Sequence, residues 1–208
     1  VEILLGARLQ DVAPAAGGFA LTLDNGRAIE ADAVLIGIGA VPRTGLAAAA
    51  GLPVDGGIVV DRTLATADPH IFAAGDVCAF PDPMGEGLLR LECWKNADAQ
   101  GALAARNMLG AGQPYAAVPW FWSDQYELSL FMAGLPERGT RSIERALGAG
   151  ARLLFHLDDA GRLVGASGIG PAALGREVRL AQLMIERGLA PDPRALADPA
   201  TRLKTLLR

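Results

Sequence analysis

Runs of apolar residues separated by short polar turns divide the chain into predicted strands and helices. Near the start, "VEILL" and "FALTL" carry strand-type residues, and Asp24-Asn25-Gly26 is a strong signal for a hairpin turn. The continuous apolar run "ADAVLIGIG" at residues 31–39 predicts a strand that is covered on both faces. Pro42 then directs the chain out of the sheet.

The same alternation of strand and helix signals continues to residue 110. A short helix is predicted at residues 46–50, and an alanine-rich helix at residues 96–109 that ends at Gly110. Strands are predicted for "GIVVD" at residues 57–61 and "IFAAG" at residues 71–75. This part of the chain therefore has the pattern of an α/β unit.

After a boundary rich in glycine and proline at residues 110–119, the pattern changes to strands followed by helices. The predicted antiparallel strands are "ELSLFMAG" at 127–134, "ARLLFHL" at 151–157 and "RLVGASGIG" at 162–170, and the predicted helices are 174–187 and 193–207, the latter interrupted near Pro199. A smaller α+β unit is therefore expected here.

Composition and charge exclude several classes of function. The chain is 51% hydrophobic and 20% charged, which is ordinary for a globular protein with a core. No apolar run approaches the roughly 20 residues of a membrane-spanning helix, so no membrane partner is expected. The net charge of −4 includes no dense basic patch, which argues against nucleic acid. Two cysteines and two histidines form no metal cluster or disulfide framework, and a reducing, cytoplasmic compartment is expected.

Asp76 follows the strand predicted at residues 71–75 and is the first candidate for a binding site. In open α/β sheets, ligands bind beyond the carboxyl ends of the strands. Gly75 has no side chain to keep a ligand from the backbone, and the Asp76 carboxylate can accept hydrogen bonds from ribose or ribityl hydroxyls. A Gly-Asp pair alone is more typical of an ordinary loop or a helix cap, so the surrounding residues must decide.

Those surrounding residues resemble a known family. "TADPHIFAAGDV" resembles the second flavin-contacting motif of reductases with two dinucleotide-binding domains, and "ADAVLIGIGAVPRT" resembles the exit of their nicotinamide domain. "RLECWKNADAQGALAARNMLG" followed by "VPWFWSDQY" resembles the ferredoxin reductases of aromatic-ring dioxygenases and of bacterial cytochrome P450 systems. "ALADPATRLKTLLR" fits the same group, so the resemblance covers nearly the whole chain.

The resemblance implies a fold class and three segments. The expected fold is α/β, a partial FAD/NAD(P)-binding two-dinucleotide fold, followed by a small α+β reductase domain. Residues 1–44 would close an NAD-binding domain, 45–112 would be the returning part of an FAD-binding domain, and 113–208 the C-terminal reductase domain. Because both G-x-G-x-x-G phosphate loops of the family are absent here, the chain is expected to be the C-terminal half of a reductase and inactive alone.

The resemblance also implies roles for individual residues. Asp76, with Gly75, would bind the ribityl hydroxyls of FAD, and Trp94 would contact the flavin through its backbone as much as its side chain. Trp122 would stack at the flavin and nicotinamide, with no acid or base residue expected. The remaining expected cofactor contacts are Glu92, Trp120, Gly37 and Gly39. From the residues alone, Trp94 could equally be a core aromatic, Glu92 a surface carboxylate, and the two glycines a plain strand exit.

The tryptophans at positions 120 and 122 flank Phe121 in a chain that is only 5% aromatic. If this segment is extended, the two indoles point the same way and Phe121 points to the opposite side. Phe121 is therefore expected to pack, while Trp122 is expected to face the cofactor.

The implied function is NADH:ferredoxin oxidoreduction, in which electrons pass from NADH through FAD to a [2Fe-2S] ferredoxin that serves an oxygenase. A related flavoprotein of the NADH oxidase or disulfide reductase type is an alternative. A non-enzymatic interaction or signalling module of the same fold is another. The particular ferredoxin, NADH against NADPH, and the oligomeric state stay open.

Overall fold

The computed structural model describes residues 1–148 and 150–208, which form two compact units, 1–41 and 42–208. Each unit is described by itself. In the described ranges, no helix is both long and apolar enough to cross a membrane.

The first unit is a three-stranded antiparallel meander. Its strands are β1 (Leu9–Ala15), β2 (Gly18–Leu23) and β3 (Ala28–Ala31), in the order β1-β2-β3. The predicted turn at Asp24-Asn25-Gly26 is confirmed, since β2 and β3 pair on either side of it. Gly26 has a φ of +80° there, a backbone conformation that glycine adopts without steric cost.

Two predicted strands of this unit do not form. Residues 1–5 are not a strand, and β3 ends at Ala31, so the apolar run that follows it has no regular structure. Leu35 and Ile38 are 98% and 91% exposed. A strand covered on both faces needs hydrogen-bonding neighbours, and within the described residues of this unit none pairs with the run.

The second unit begins with a small mixed sheet and two helices. The elements are α1 (Gly45–Ala49), β4 (Ile58–Val59), β5 (Cys78–Pro81), β6 (Leu88–Leu89) and α2 (Trp94–Met108). Both predicted helices are confirmed, and α2 is followed by Gly110 with a φ of +89°. The strand predicted at 57–61 is reduced to β4, which pairs in parallel with β5.

The strand predicted at residues 71–75 is wrong. Phe72 forms an isolated bridge with Ala65, and Gly75–Val77 is a turn of 3-10 helix. Because β4 pairs with Cys78 and Ala79, the strand begins after the Gly-Asp pair. Asp76 therefore precedes a strand and does not lie at the carboxyl end of one.

The rest of the second unit is a five-stranded antiparallel sheet with helices on it. The strands are β7 (Trp120–Gln125), β8 (Leu128–Gly134), β9 (Arg141–Ala146), β10 (Arg152–Leu157) and β11 (Leu163–Gly170), in the order β7-β8-β11-β10-β9. The strands predicted at 127–134, 151–157 and 162–170 are confirmed, whereas β9 was not predicted.

Two helices complete this sheet. The predicted helix at 174–187 is confirmed as α3 (Gly175–Glu186), whose buried residues Val178, Ala181 and Met184 join the core beneath β8 and β11. The predicted interruption near Pro199 is also confirmed, since α4 (Pro193–Ala197) is separated from a 3-10 helix at Leu203–Leu207.

Arg145 on β9 holds the segment that follows α4. Its side chain is 3% exposed, and its guanidinium donates to the main-chain oxygens of Leu196, Pro199 and Thr201. These carbonyls lie in the last turn of the short helix α4 and in the segment after it, where they have no intrahelical partner.

His156 on β10 connects three neighbouring strands through its two ring nitrogens. Nδ1 lies 3.1 Å from Ser142 Oγ on β9, and Nε2 lies 3.0 Å from Ser167 Oγ on β11. Burial lowers the pKa of His156 below its ordinary value, and the nearby Glu137 carboxylate opposes that shift.

We predict that His156 makes the protein less stable in mild acid. Because its folded pKa lies below the unfolded value of about 6.5, its contribution is complete above that pH and is lost as the pH falls through the folded pKa. The free energy of unfolding can be measured by urea denaturation at a series of pH values. As the pH decreases through this range, it should fall more steeply in the wild type than in His156→Gln. Parallel pH profiles would contradict this prediction.

Candidate functional site

The first turn of α2 presents free backbone donors. Cys93 precedes the helix with an extended backbone and makes no side-chain cap, and the Ala97 N–H donates to the Cys93 oxygen at 3.0 Å. The N–H groups of the first helical residues have no intrahelical acceptor, and the helix dipole makes this end electropositive. A carbonyl or anionic group of a ligand can therefore bind here.

Gly75 packs against this helix. It is buried with a φ of +77°, and a Cβ at this position would lie 3.3 Å from the Ala97 Cβ. Its N–H donates to Gln100 Oε1 at 2.8 Å. The glycine therefore serves a close approach between the 3-10 turn and α2, a different reason from the ligand access expected from the sequence.

Asp76 is exposed beside the start of α2, and its backbone is fixed by an arginine. Arg90 Nη1 donates to the Asp76 main-chain oxygen at 3.0 Å and to Glu92 Oε1 at 2.8 Å. Within residues 1–148 and 150–208, no side chain hydrogen-bonds the Asp76 carboxylate. That carboxylate is therefore available to the hydroxyls of a ligand, while the charge of Glu92 is balanced by Arg90.

The three tryptophans lie together at the start of α2. Trp120 and Trp122 on β7 line one open groove of about 530 Å³ together with Trp94, and Phe131 completes its aromatic surface. Lys95 and Asp124 lie at its rim. We call this the aromatic groove. The expected alternation along β7 holds, since Phe121 does not line it.

Phe121 does not pack in the core as expected. It is 41% exposed and lies on the opposite side of β7, in a groove of about 220 Å³ that also contains Leu91 and Met132. Residues 91–93 and 135–137 line the same groove, so this face of β7 is only partly covered and Phe121 stays partly exposed.

Gly37 and Gly39 belong to the first unit, in the stretch without regular structure after β3. Gly39 has a φ of +92°, which suits a glycine, and a Cβ on either residue would meet no atom within 4 Å. Their role at a nicotinamide dinucleotide stays a prediction.

Buried polar groups lie beneath the start of α2. The Tyr115 hydroxyl donates to Asn96 Oδ1 at 2.9 Å, and burial raises the pKa of Tyr115 to about 12. Burial also raises the pKa of the Cys78 thiol to about 12, so this cysteine stays protonated and unreactive at neutral pH. This environment suits a cysteine that packs in the core and takes part in no reaction.

Sequence reasoning missed three residues that shape the site: Arg90, Lys95 and Gln100. Arg90 binds Asp76 and Glu92 across a loop, and its pairing depends on the fold. The sequence does carry a signal for Gln100. It and Asn96 are amide residues four positions apart in an alanine-rich helix, and this spacing predicts that both lie on one helix face.

Comparisons with known proteins place this geometry in a family. Residues 1–101 match the family model described as pyridine nucleotide-disulphide oxidoreductase, and residues 120–207 match the one described as Reductase C-terminal. The ferredoxin–NAD(+) reductase component of the anthranilate 1,2-dioxygenase system of Burkholderia cepacia is 44% identical over 194 residues, which are 93% of this chain and 47% of that protein.

Solved structures agree. A ferredoxin reductase from Rhodopseudomonas palustris superposes with a TM-score of 0.87 at 32% identity, over 98% of this chain and 50% of that one. Putidaredoxin reductase, in its covalent complex with putidaredoxin, gives the same TM-score and identity over 97% and 48%. The chain spans about half the length of these relatives.

We predict that Gln100 fixes the Gly75 turn. Gln100→Met keeps the volume of the side chain but leaves the buried Gly75 N–H without its acceptor, which costs roughly 1–3 kcal/mol of unfolding free energy. Asp98→Asn, an exposed change on the same helix, should stay within about 0.5 kcal/mol of the wild type. Urea denaturation measures both, and equal stabilities of the two variants would contradict the assignment.

Proposed function

Because the chain belongs to the pyridine nucleotide-disulphide oxidoreductases that carry a Reductase C-terminal domain, we propose that it forms about half of an FAD-dependent NADH:ferredoxin reductase. In the whole protein, electrons pass from NADH through FAD to a small iron–sulfur protein of the [2Fe-2S] ferredoxin type, which supplies an oxygenase. The relatives named above carry ferredoxin or putidaredoxin in their names, which supports this partner.

The observation that carries the proposal is the convergence of three kinds of group at one helix start. The exposed Asp76 carboxylate, the free N–H groups of α2 and the indoles of the aromatic groove lie around residues 92–95. A flavin dinucleotide needs all three: acceptors for its hydroxyls, donors for its ring carbonyls or phosphates, and a flat apolar surface for its ring.

Each residue of this chain then has a defined task. Asp76 accepts hydrogen bonds from the ribityl hydroxyls, with its backbone held by Arg90. The first N–H groups of α2 donate to an electron-rich edge of the ring. Trp122 presents an indole that is 38% exposed, and such a flat apolar ring can cover a cofactor ring and exclude water from it.

A bound flavin supplies the chemistry, since it takes two electrons as hydride and returns them singly. That chemistry requires no proton transfer at a side chain of this chain. A cytoplasmic location fits the two cysteines, Cys78 and Cys93, which are both free.

We predict that the product of the complete gene has a flavin absorption spectrum that bleaches on anaerobic addition of NADH. An NADH-dependent flavin reductase of the proposed kind needs both a bound flavin and hydride transfer from NADH to that flavin. Visible spectroscopy before and after NADH tests this. A colourless protein that binds no added FAD would contradict the proposal and favour a non-enzymatic interaction module.

Asp76 gives the sharpest prediction within that protein. Asp76→Ala should raise the Kd for FAD by about 10- to 150-fold, because hydrogen bonds to a charged group are worth about 1.5–3 kcal/mol. Asp76→Asn still has a carbonyl oxygen that accepts hydrogen bonds, so its Kd for FAD should lie between those of the wild type and Asp76→Ala. Asp159→Ala, an exposed carboxylate in the hairpin after β10, is the control and should leave the Kd unchanged. Titration of the flavin-free protein by fluorescence quenching measures all four, and an Asp76→Ala protein with wild-type affinity would remove Asp76 from the site.

A further inference from the structure

Three consecutive residues at the start of α2 all contact β7. The Cys93 Sγ donates to the Trp120 main-chain oxygen at 2.9 Å, and Lys95 Nζ lies 5.0 Å from the centre of the Trp120 ring. Between them, Trp94 lies against Trp122, with ring centres 5.8 Å apart and planes at 87°. The helix start and the strand are therefore joined by one backbone contact and two contacts to aromatic rings.

The Trp94–Trp122 contact differs from core packing. Trp94 is 70% exposed and Trp122 is 38% exposed, so neither indole is held by surrounding side chains on all sides. Trp122 also lies on an edge strand, with a neighbouring strand on one side. An edge-to-face arrangement is a preferred geometry of two aromatic rings, and here it sets the angle between the Trp94 and Trp122 planes.

The Trp120 ring is oriented by groups other than Trp94. Its ring lies 6.1 Å from that of Phe131 and beneath the Lys95 ammonium, so two other groups set its orientation. The ring contact of Trp94 is with Trp122, and the contacts of Trp120 with Phe131 and Lys95 do not involve the Trp94 indole.

We propose that Trp94 is a positioning residue for Trp122: its indole holds the Trp122 ring in one orientation in the aromatic groove, so that a flat cofactor ring meets a fixed surface. This role rests on the proposed function, and it goes beyond it by giving the Trp94 side chain a task separate from that of the α2 backbone. Without Trp94, the partly exposed Trp122 ring samples other rotamers and covers the cofactor for a smaller fraction of the time.

The first arm of the test needs no cofactor turnover. Two indoles in contact couple their ultraviolet transitions, which gives a paired positive and negative band in circular dichroism. In the complete protein, Trp94→Phe and Trp122→Phe should each remove the same paired band, and the double variant should remove no more than either. Different losses in the two single variants would show that the rings do not pair and would overturn the proposal.

The second arm measures what the pairing does. Trp94→Val should slow flavin reduction by NADH about two- to tenfold, the size expected when an edge-to-face aromatic contact is lost. Trp94→Phe should recover most of that rate, because an aromatic ring is retained. Met108→Val, an exposed substitution at the far end of the same helix, is the matched control and should not change the rate.

The outcomes separate this inference from the proposed function. A paired band that disappears in Trp94→Val while the reduction rate stays at the wild-type value overturns the positioning role and leaves the reductase intact. A protein without flavin or NADH oxidation overturns the reductase reading, while the circular dichroism still reports whether the indoles pair. Loss of the band together with a slower reduction that Trp94→Phe restores supports the proposal.

Discussion

Amide side chains on the buried face of α2 hold in place the loops that form the candidate site. Gln100 accepts from the Gly75 N–H, and Asn96 accepts from the Tyr115 hydroxyl. Asn107 Nδ2 donates to the main-chain oxygens of Thr63 and Gln113. An apolar face would bury equal area, but it could not bind loop backbone that has no ladder partner. The position of the Gly-Asp turn therefore depends on polar groups inside a helix.

The sequence predicted those elements that carry their own partners nearby. The strands β10 and β11 form a hairpin across a short turn, and their pattern was sufficient because each supplies the neighbour of the other. The runs at 33–39 and 71–75 are also apolar, yet no strand of the described residues pairs along them. Parallel strands pair with residues far away in sequence, so composition alone could not settle whether these runs become strands.

Prediction of the site had a similar limit. Motif resemblance placed Asp76, Trp94 and Trp122 as candidates, and the structure brings their three segments to one helix start. The motif resemblance did not identify Arg90, whose partner Asp76 is fourteen residues away along the chain. Ion pairs and amide contacts of this kind follow from the packing of loops, which has no periodic signal in the sequence.

The aromatic groove is shaped by the first residues of α2, which match one family model, and by β7, which matches the other. A further contact joins the parts of the chain that match the two models, since Arg138, in the 3-10 turn after β8, pairs with the buried Asp82, which follows β5. Removing Arg138 would leave the buried Asp82 carboxylate without its partner, so the pair favours one arrangement of these two parts of the chain. Since neither residue lines the groove, this constraint acts before any ligand binds. The groove is therefore formed by the protein itself, and a ring that binds there meets indoles whose backbones are already in place.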